Sequence, residues 1–341
     1  MTEFTNIPVI DVQTLSTGAS GDVTELADAF LQAYGATGFG YIVNHDIDPA
    51  LIDGVFAASA RFHALPQDRK MAVELNHLHR GFIPINTSTD VNSRLADVKK
   101  PNQSESFMMM REDGPDSPDR IAGAYLAGPN QWPARISARD PALGNFREAV
   151  TAYHDAMCGL GQKLMHVAAL AIGAEPADLL HAFERPTTWL RLLHYPPRPP
   201  ASPDDLFGSA PHTDFGCLTI LAQDDVGGLQ VQTPAGAWID APVIPGSFIV
   251  NVGDMLHRWS NGILRSTPHR VINRSGRERY SCPFFFDPNV ATDIAPLPSC
   301  ITPDRPPAFE PINFGAFLKA ELEAGYDKHK HPNHKDWAPK T

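Results

Sequence analysis

Ala210-Pro-His-Thr-Asp-Phe-Gly216 runs straight into the apolar stretch Cys217-Leu-Thr-Ile-Leu221, and the fold turns on how this segment is read. In an extended chain, residues i and i+2 point to one face and lie roughly 6–7 Å apart. His212 and Asp214 can therefore bridge one small ion. A third ligand has to come from another strand, and His269 in Ser266-Thr-Pro-His-Arg-Val271 is placed for it, fifty-five residues after Asp214. Two neutral imidazoles and one carboxylate on one side of an ion leave its other positions open, which suits non-haem Fe(II) and oxygen chemistry. A His-x-Asp pair arises by chance; the distal histidine in strand-like surroundings gives the pattern its weight.

Ten residues beyond His269, Arg279-Tyr-Ser281 repeats the i, i+2 logic. A guanidinium fork beside a hydroxyl matches a carboxylate, which arginine holds through two parallel charge-assisted hydrogen bonds. A metal with open positions next to such an arginine suggests a chelating keto acid held at both ends. The competing reading pairs Arg279 with a nearby acid, Glu278 or Asp287.

Outward from this segment the chain changes character. From residue 187 on, short β-rich runs alternate with Pro, Gly and Asn, the rhythm of a sandwich or jelly roll. Before it, residues 22–37 carry Leu26, Ala29, Phe30, Ala33 and Tyr34 at helical spacing. Residues 49–63 read as a helix opened by Asp48 as cap and Pro49 at the first position, and residues 144–173 as the longest helix. Residues 76–142, rich in Asn, Pro, Asp and Ser, are expected to form loops over a pocket mouth. Pro196–Pro203 reads as a rigid connector. The expected organisation is one unit: an N-terminal α/β region (1–186), a β core (187–290) and a C-terminal extension (291–341).

The order of landmarks now carries a resemblance. Ile7-Pro-Val-Ile-Asp11, Gly38-Phe-Gly-Tyr-Ile-Val-Asn-His45, Glu105-Ser-Phe107 and Gly128-Pro-Asn-Gln-Trp-Pro133 come first. Gly227-Gly-Leu-Gln-Val231, Asn251-Val-Gly-Asp254, Ser260-Asn-Gly262 and the segments around His269 and Arg279 follow. In this sequence of motifs the chain resembles the Fe(II)/2-oxoglutarate-dependent dioxygenases of the isopenicillin N synthase-like family. The resemblance implies a mainly β fold with flanking helices around a double-stranded β-helix (jelly roll, cupin-like). It implies iron on His212, Asp214 and His269, the distal carboxylate of 2-oxoglutarate on Arg279 and Ser281, and Tyr195 helping to hold that cosubstrate. It further implies consumption of O2, release of succinate and CO2, and oxidation of a small-molecule C–H bond, with hydroxylation as the default outcome. Leu193 stands where plant members usually place Asn. The arginine at 191 followed by His194-Tyr-Pro-Pro197 is similar to bacterial relatives that include the ethylene-forming enzyme. The acidic residue expected for an arginine substrate is missing from Arg80–Thr87.

Composition narrows the alternatives. The 341 residues are 43% hydrophobic and carry a net charge of −11 without a Lys/Arg run, which argues against nucleic acid or an anionic membrane as partner. There is no basic start followed by an apolar stretch, and Leu164–Ala174, the nearest to a membrane-length run, reads as a buried helix. Cys158, Cys217, Cys282 and Cys300 are scattered, as expected of reduced thiols in a cytoplasmic enzyme. His329, His331 and His334 read as a solvated tail, and His194 and His257 as structural. Met108-Met-Met110 suits an apolar pocket or a core equally. Arg191, Phe107 and Met109 are the residues expected to face the substrate. Two rival functions are a same-fold oxidase that needs no 2-oxoglutarate and a non-catalytic metal-binding jelly roll.

Overall fold

A computed structural model describes residues 4–17, 22–88, 100–134, 143–198, 202–203 and 205–325. The strands that frame the site are β1 (Val9–Asp11), β2 (Phe39–Val43), β3 (Gly81–Ile83), β4 (Glu105–Met110), β5 (Thr187–Tyr195), β6 (Ser209–His212), β7 (Leu218–Gln223), β8 (Leu229–Gln232), β9 (Trp238–Asp240), β10 (Phe248–Val252), β11 (His269–Val271) and β12 (Arg279–Asp287). They form an eight-stranded sheet in the order β1-β2-β10-β7-β12-β5-β4-β3 and a four-stranded sheet in the order β6-β11-β8-β9. Leu193, Tyr195, Phe39 and Ile249 of the large sheet pack with Leu229, Val231 and Val271 of the small one, closing a jelly roll.

The expected boundary at residue 186 falls inside the large sheet, between β4 and its neighbour β5. The N-terminal region does more than pack on the core; it supplies β1 to β4 of that sheet. This also corrects the reading of residues 76–142 as loops. Glu105–Met110 is buried at every position and pairs antiparallel with β5, Met108 opposite Arg191. A strand covered on both faces shows no polar alternation, and here its Asn- and Ser-rich flanks hid it. Residues 89–99 and 135–142 of that segment, and part of the Pro196–Pro203 connector, lie outside the described residues.

Strand parity then sorts every side chain. Along β12, Arg279, Ser281, Pro283, Phe285 and Asp287 look toward the small sheet, and Tyr280, Cys282, Phe284 and Phe286 look the other way. Phe285 is the register partner of Trp189 and of Thr219, so the inner face continues across β5 and β7. The outer face rests on the helix Phe146–Ala171, where Phe284 meets the ring of His154 at 5.5 Å. The helices over Asp22–Ala36 and Pro49–His63 start and stop within two residues of expectation, the second capped by Asp48, whose Oδ1 accepts from the Ala50 N–H at 2.9 Å. A last helix, Phe314–Gly325, brings Leu318, Glu321 and Leu322 to the inner cavity. His329, His331 and His334 lie outside the described residues. Among the described residues no helix is long and apolar enough to cross a membrane.

Gly161 marks where helix and sheet come closest. A Cβ there would stand 2.6 Å from Cγ of Phe286, a fully buried ring that stacks on Phe183 at 5.2 Å and cannot retreat. Gly161→Ala should gain about 1 kcal/mol of helix propensity but lose roughly 1–3 kcal/mol to overpacking. The expected result is a lower melting temperature by calorimetry; an unchanged or higher one would show that the layers can part at no cost.

Candidate active site

The antiparallel pairing of β6 with β11 makes His212 and His269 register partners, their ring centroids 4.3 Å apart. The ladder shifts by one residue between His269 and Val271, at Ala210 and Pro211, where proline has no N–H to give. Asp214 lies two residues past the end of β6 rather than on the strand itself, yet the backbone still carries it to the same place. Its Oδ1 is 3.6 Å from Nε2 of both His212 and His269, and the three ligand atoms lie within 4.8 Å of one another. No other group of three such side chains could hold a metal among the described residues.

The surroundings prepare these atoms for a cation. Nδ1 of His212 lies 2.7 Å from the Ala210 carbonyl and Nδ1 of His269 lies 3.2 Å from the Thr267 carbonyl, so each ring donates there and keeps the Nε2 lone pair inward. Oδ2 of Asp214 accepts from the Thr219 hydroxyl and from Nδ2 of Asn251 at 2.7 Å, which leaves Oδ1 for the metal. Burial works against ionisation of Asp214, but the neighbouring His269 and His212 hold its carboxyl well below the usual carboxylate range. Asp254 ties the two ligand segments together, accepting from Thr213 at 3.2 Å and from Ser266 at 2.6 Å. The donor set fits Fe(II), with three ligands on one side and a cavity on the other.

Arg279 is fully buried, and its fork is not neutralised by Glu278 or Asp287. Nε donates to the Gly227 carbonyl at 2.6 Å and Nη1 to Ser281 Oγ at 3.2 Å, while Tyr195 lies face-on 4.6 Å beneath the guanidinium. A buried cation without a carboxylate partner among the described residues is costly unless an anion joins it. Tyr195, Ser281 and Arg279 line one cavity of about 560 Å³ with His212, Asp214, His269 and Leu193. The apolar Leu193 side chain means no amide reaches the cosubstrate end from that position.

A second cavity, of about 850 Å³, opens on the other side of the ligands and is lined by Met108, Trp189, Arg191, Phe215, Phe285, Asp287, Leu318 and Leu322 among others. Arg191, Ser209, His212, Asp214 and Phe285 belong to both cavities. Phe107 and Met109 belong to neither, which corrects their expected role. They sit on the outer face of β4, where Phe107 packs 5.0 Å from Phe62 and 5.2 Å from Phe146 in the main core. Met108, of opposite parity, reaches the cavity in their place. Sequence reading also missed Thr219, Asn251 and Asp254 as supports of the ligands; Asn251-Val-Gly-Asp254 signalled them only as a landmark.

The two suspected histidines have structural partners. His257 Nδ1 lies 2.6 Å from the Leu264 carbonyl. His194 points to the outer face, pairing with Glu105 at 2.9 Å and stacking on Tyr280 at 4.8 Å. Lys70 completes that buried cluster at 2.8 Å from Glu105, and the His63 ring lies 5.3 Å from His194. Cys217, Cys282 and Cys300 are buried, Cys158 is half-buried, and all four are free thiols.

Two expectations follow from these contacts. Asn251→Ala removes one of the two bonds that orient Asp214 and should weaken Mn(II) or Fe(II) binding by about 10- to 100-fold with the fold intact; calorimetric titration showing wild-type affinity would remove Asn251 from the metal support. Burial pushes His63 down to about 3. The unfolded chain takes up that proton near pH 6.5 and the folded chain only near 3, so stability falls as pH drops through this window, by at most about 1.4 kcal/mol per pH unit from His63. His63→Gln should flatten the decline in unfolding free energy between pH 6.5 and 4, and an equally steep decline would place its origin elsewhere.

Comparison with known proteins agrees with this geometry. The profile of the 2OG-Fe(II) oxygenase superfamily matches residues 186–288, and that of the non-haem dioxygenase in morphine synthesis N-terminal region matches residues 7–135. The 2-oxoglutarate-Fe(II) type oxidoreductase hxnY of Emericella nidulans is 36% identical over 296 residues, covering 85% of this chain and 82% of the relative. The crystal structure of a full-length Neurospora crassa protein in complex with alpha-KG and thymine superposes with a TM-score of 0.82 at 30% identity, covering 95% of this chain and 98% of that one. A 2OG-Fe(II) oxygenase family protein from Caulobacter crescentus gives 0.78 at 28% identity over 94% of this chain and all of its own, 100%. With a cage for one ferrous ion, a buried arginine awaiting an anion and relatives named for both, the chain belongs to the 2OG-Fe(II) oxygenase superfamily and is an Fe(II)/2-oxoglutarate-dependent dioxygenase.

Proposed function

We propose that this dioxygenase hydroxylates a C–H bond of a small molecule bound in the cavity between Met108, Phe285 and the C-terminal helix. In this reading His212, Asp214 and His269 hold the iron, and Arg279, Ser281 and Tyr195 hold the far carboxylate of 2-oxoglutarate. The observation that carries it is the pair of cavities meeting at His212, Asp214 and Arg191, one ending on a buried cation and the other largely apolar. Both are concave sites in which a few polar groups converge among apolar ones, the form of a small-molecule site. Relatives bind compounds of that size: the Neurospora crassa structure holds thymine beside alpha-KG, and that of JOX2 holds 2OG, Fe and JA.

With Fe(II) and 2-oxoglutarate in place, the centre couples oxidative decarboxylation of 2-oxoglutarate to succinate and CO2 with transfer of one atom of O2 to the substrate carbon. The residues supply position and dryness. Arg279 binds its carboxylate through a fork pre-oriented by the Gly227 carbonyl and Tyr195, so the keto acid is held in one pose. Thr219 and Asn251 keep the Asp214 carboxylate turned so that one oxygen faces the metal. Phe215, Phe285, Leu318 and Leu322 exclude water from the side where the C–H bond must lie. A reducing compartment such as the cytoplasm suits both the four free thiols and a ferrous ion. The likeness of the segment Arg191–Pro197 to bacterial ethylene-forming relatives supports including ethylene among the products measured.

Succinate formation in step with O2 uptake, strictly dependent on 2-oxoglutarate and Fe(II), is the expected outcome in air. Turnover that ignores 2-oxoglutarate would instead indicate an oxidase. Arg279→Ala should cost about 2–3 kcal/mol of cosubstrate binding, raising the 2-oxoglutarate requirement roughly 30- to 150-fold. Arg279→Lys should recover only part, since an ammonium lacks the two-point geometry. Wild-type dependence in both variants would exclude Arg279 as the anchor.

A further inference from the structure

Arg191 stands in the wall between the two cavities with most of its guanidinium uncommitted. Its Nε donates to Ser106 Oγ at 2.9 Å, which fixes the plane of the group, and among the described residues neither Nη has a partner. Arg279 already supplies the buried cation at the far end of the cosubstrate cavity, eight residues from Asp287 along the same face of β12. Arg191 lies opposite Met108 on β4 and its strand pairs with β12 so that Leu190 meets Phe284, which sets Arg191 beside Pro283 and short of Phe285. From there the second cavity runs over Phe285 and Trp189 to Asp287 and to Leu318 and Leu322 of the last helix. Its lining is therefore a cation at the metal end followed by an apolar trough.

We propose that the substrate is an amphipathic organic acid, its carboxylate on the free Nη groups of Arg191 and its apolar body along Phe285, Met108 and Leu318. This rests on the two-cavity reading above and names the substrate class for it. Besides Asp214, which faces the metal position together with His212 and His269, two carboxyl groups line the trough and bear on the charge balance. Burial pushes Asp287 up to about 8, and its Oδ1 is taken up by the Cys217 N–H it accepts at 2.7 Å. Glu321 is half-buried on the last helix and has a partner of its own. The one cation facing the trough is thus Arg191 among its described lining residues, and an anion gains there what a neutral analogue of equal shape does not.

Phenylacetate and phenylacetamide, alike in shape and different in charge, test this by anaerobic titration calorimetry on the Fe(II)- and 2-oxoglutarate-loaded enzyme. Phenylacetate should bind about ten-fold more tightly or better. Arg191→Gln should abolish that preference by weakening the acid far more than the amide, Arg191→Lys should keep part of it, and both should weaken the acid more than 2-oxoglutarate. The proposal is overturned if the amide binds as well as the acid, if phenylacetate does not bind, or if the preference survives in Arg191→Gln. It is also overturned if Arg191→Gln weakens 2-oxoglutarate as much as the acid, which would move Arg191 to the cosubstrate. Substrate-free conversion of 2-oxoglutarate to succinate by the wild-type enzyme in air separates the two readings: its loss would sink the dioxygenase roles proposed for the site, whereas its presence without an acid preference would sink the substrate class alone.

Discussion

The site depends on the antiparallel ladder between β6 and β11. Neither strand is longer than four residues, and neither would hold its place alone, yet their register sets His212 opposite His269 and so fixes two of three ligands. The rest of the arrangement serves that pairing. Asp254 ties Thr213 to Ser266 from behind, and Asn251 with Thr219 turns Asp214 toward the two rings. Gly216 shows how little slack there is. A Cβ at that position would overlap Oδ1 of Asp287, the oxygen that accepts the Cys217 N–H and pins this loop to β12. Three short segments from distant parts of the chain converge because each is held by buried polar bonds whose loss would leave unpaired groups in the interior.

Much of this was legible in the sequence, for identifiable reasons. The residues proposed as metal ligands and carboxylate anchors are chemically unusual ones at a spacing that strand geometry makes meaningful, so His212, Asp214, His269, Arg279 and Ser281 stand out from the 341. Helices announced themselves by caps and apolar spacing, as at Asp48 and Pro49. What could not be read was parity in a strand apolar on both faces. Phe107-Met-Met-Met110 offers no polar residue to mark the outer side, and whether odd or even positions reach the cavity follows from the register with β5, a long-range fact. The supports of the ligands were hidden differently. Asn251 and Thr219 lie in ordinary strand sequence and acquire a role only because β10 and β7 pair with Asn251 opposite Thr219.

The electrostatics divide the inner face by function. Positive charge appears at Arg279 and at Arg191, each on a side chain oriented by a hydrogen bond from Nε and with no carboxylate partner among the described residues. The outer face carries a separate cluster, in which Lys70 and Glu105 pair their charges and the His194 ring lies 2.9 Å from the same carboxylate within the core. One face therefore holds unmet charge for ligands and the other holds balanced charge for stability. The sheet between them keeps the two sets from short-circuiting.

That division has a consequence for how such an enzyme can diversify. β12 works as a strand of fixed odd–even phase: a single inserted residue between Ser281 and Phe285 would leave the cosubstrate anchor where it is but rotate Phe285 and Asp287 into the helix layer. Phe284 and Phe286, now seated against that layer, would swing into the trough. Changes of length within this strand are thus tolerable only in steps of two. Point substitutions at positions 108 and 189, by contrast, re-shape the trough alone, since neither side chain lines the cavity that ends on Arg279. Divergence in this lineage should accumulate as side-chain swaps at constant strand length, and as replacement of the last helix, whose attachment to the trough carries no such phase.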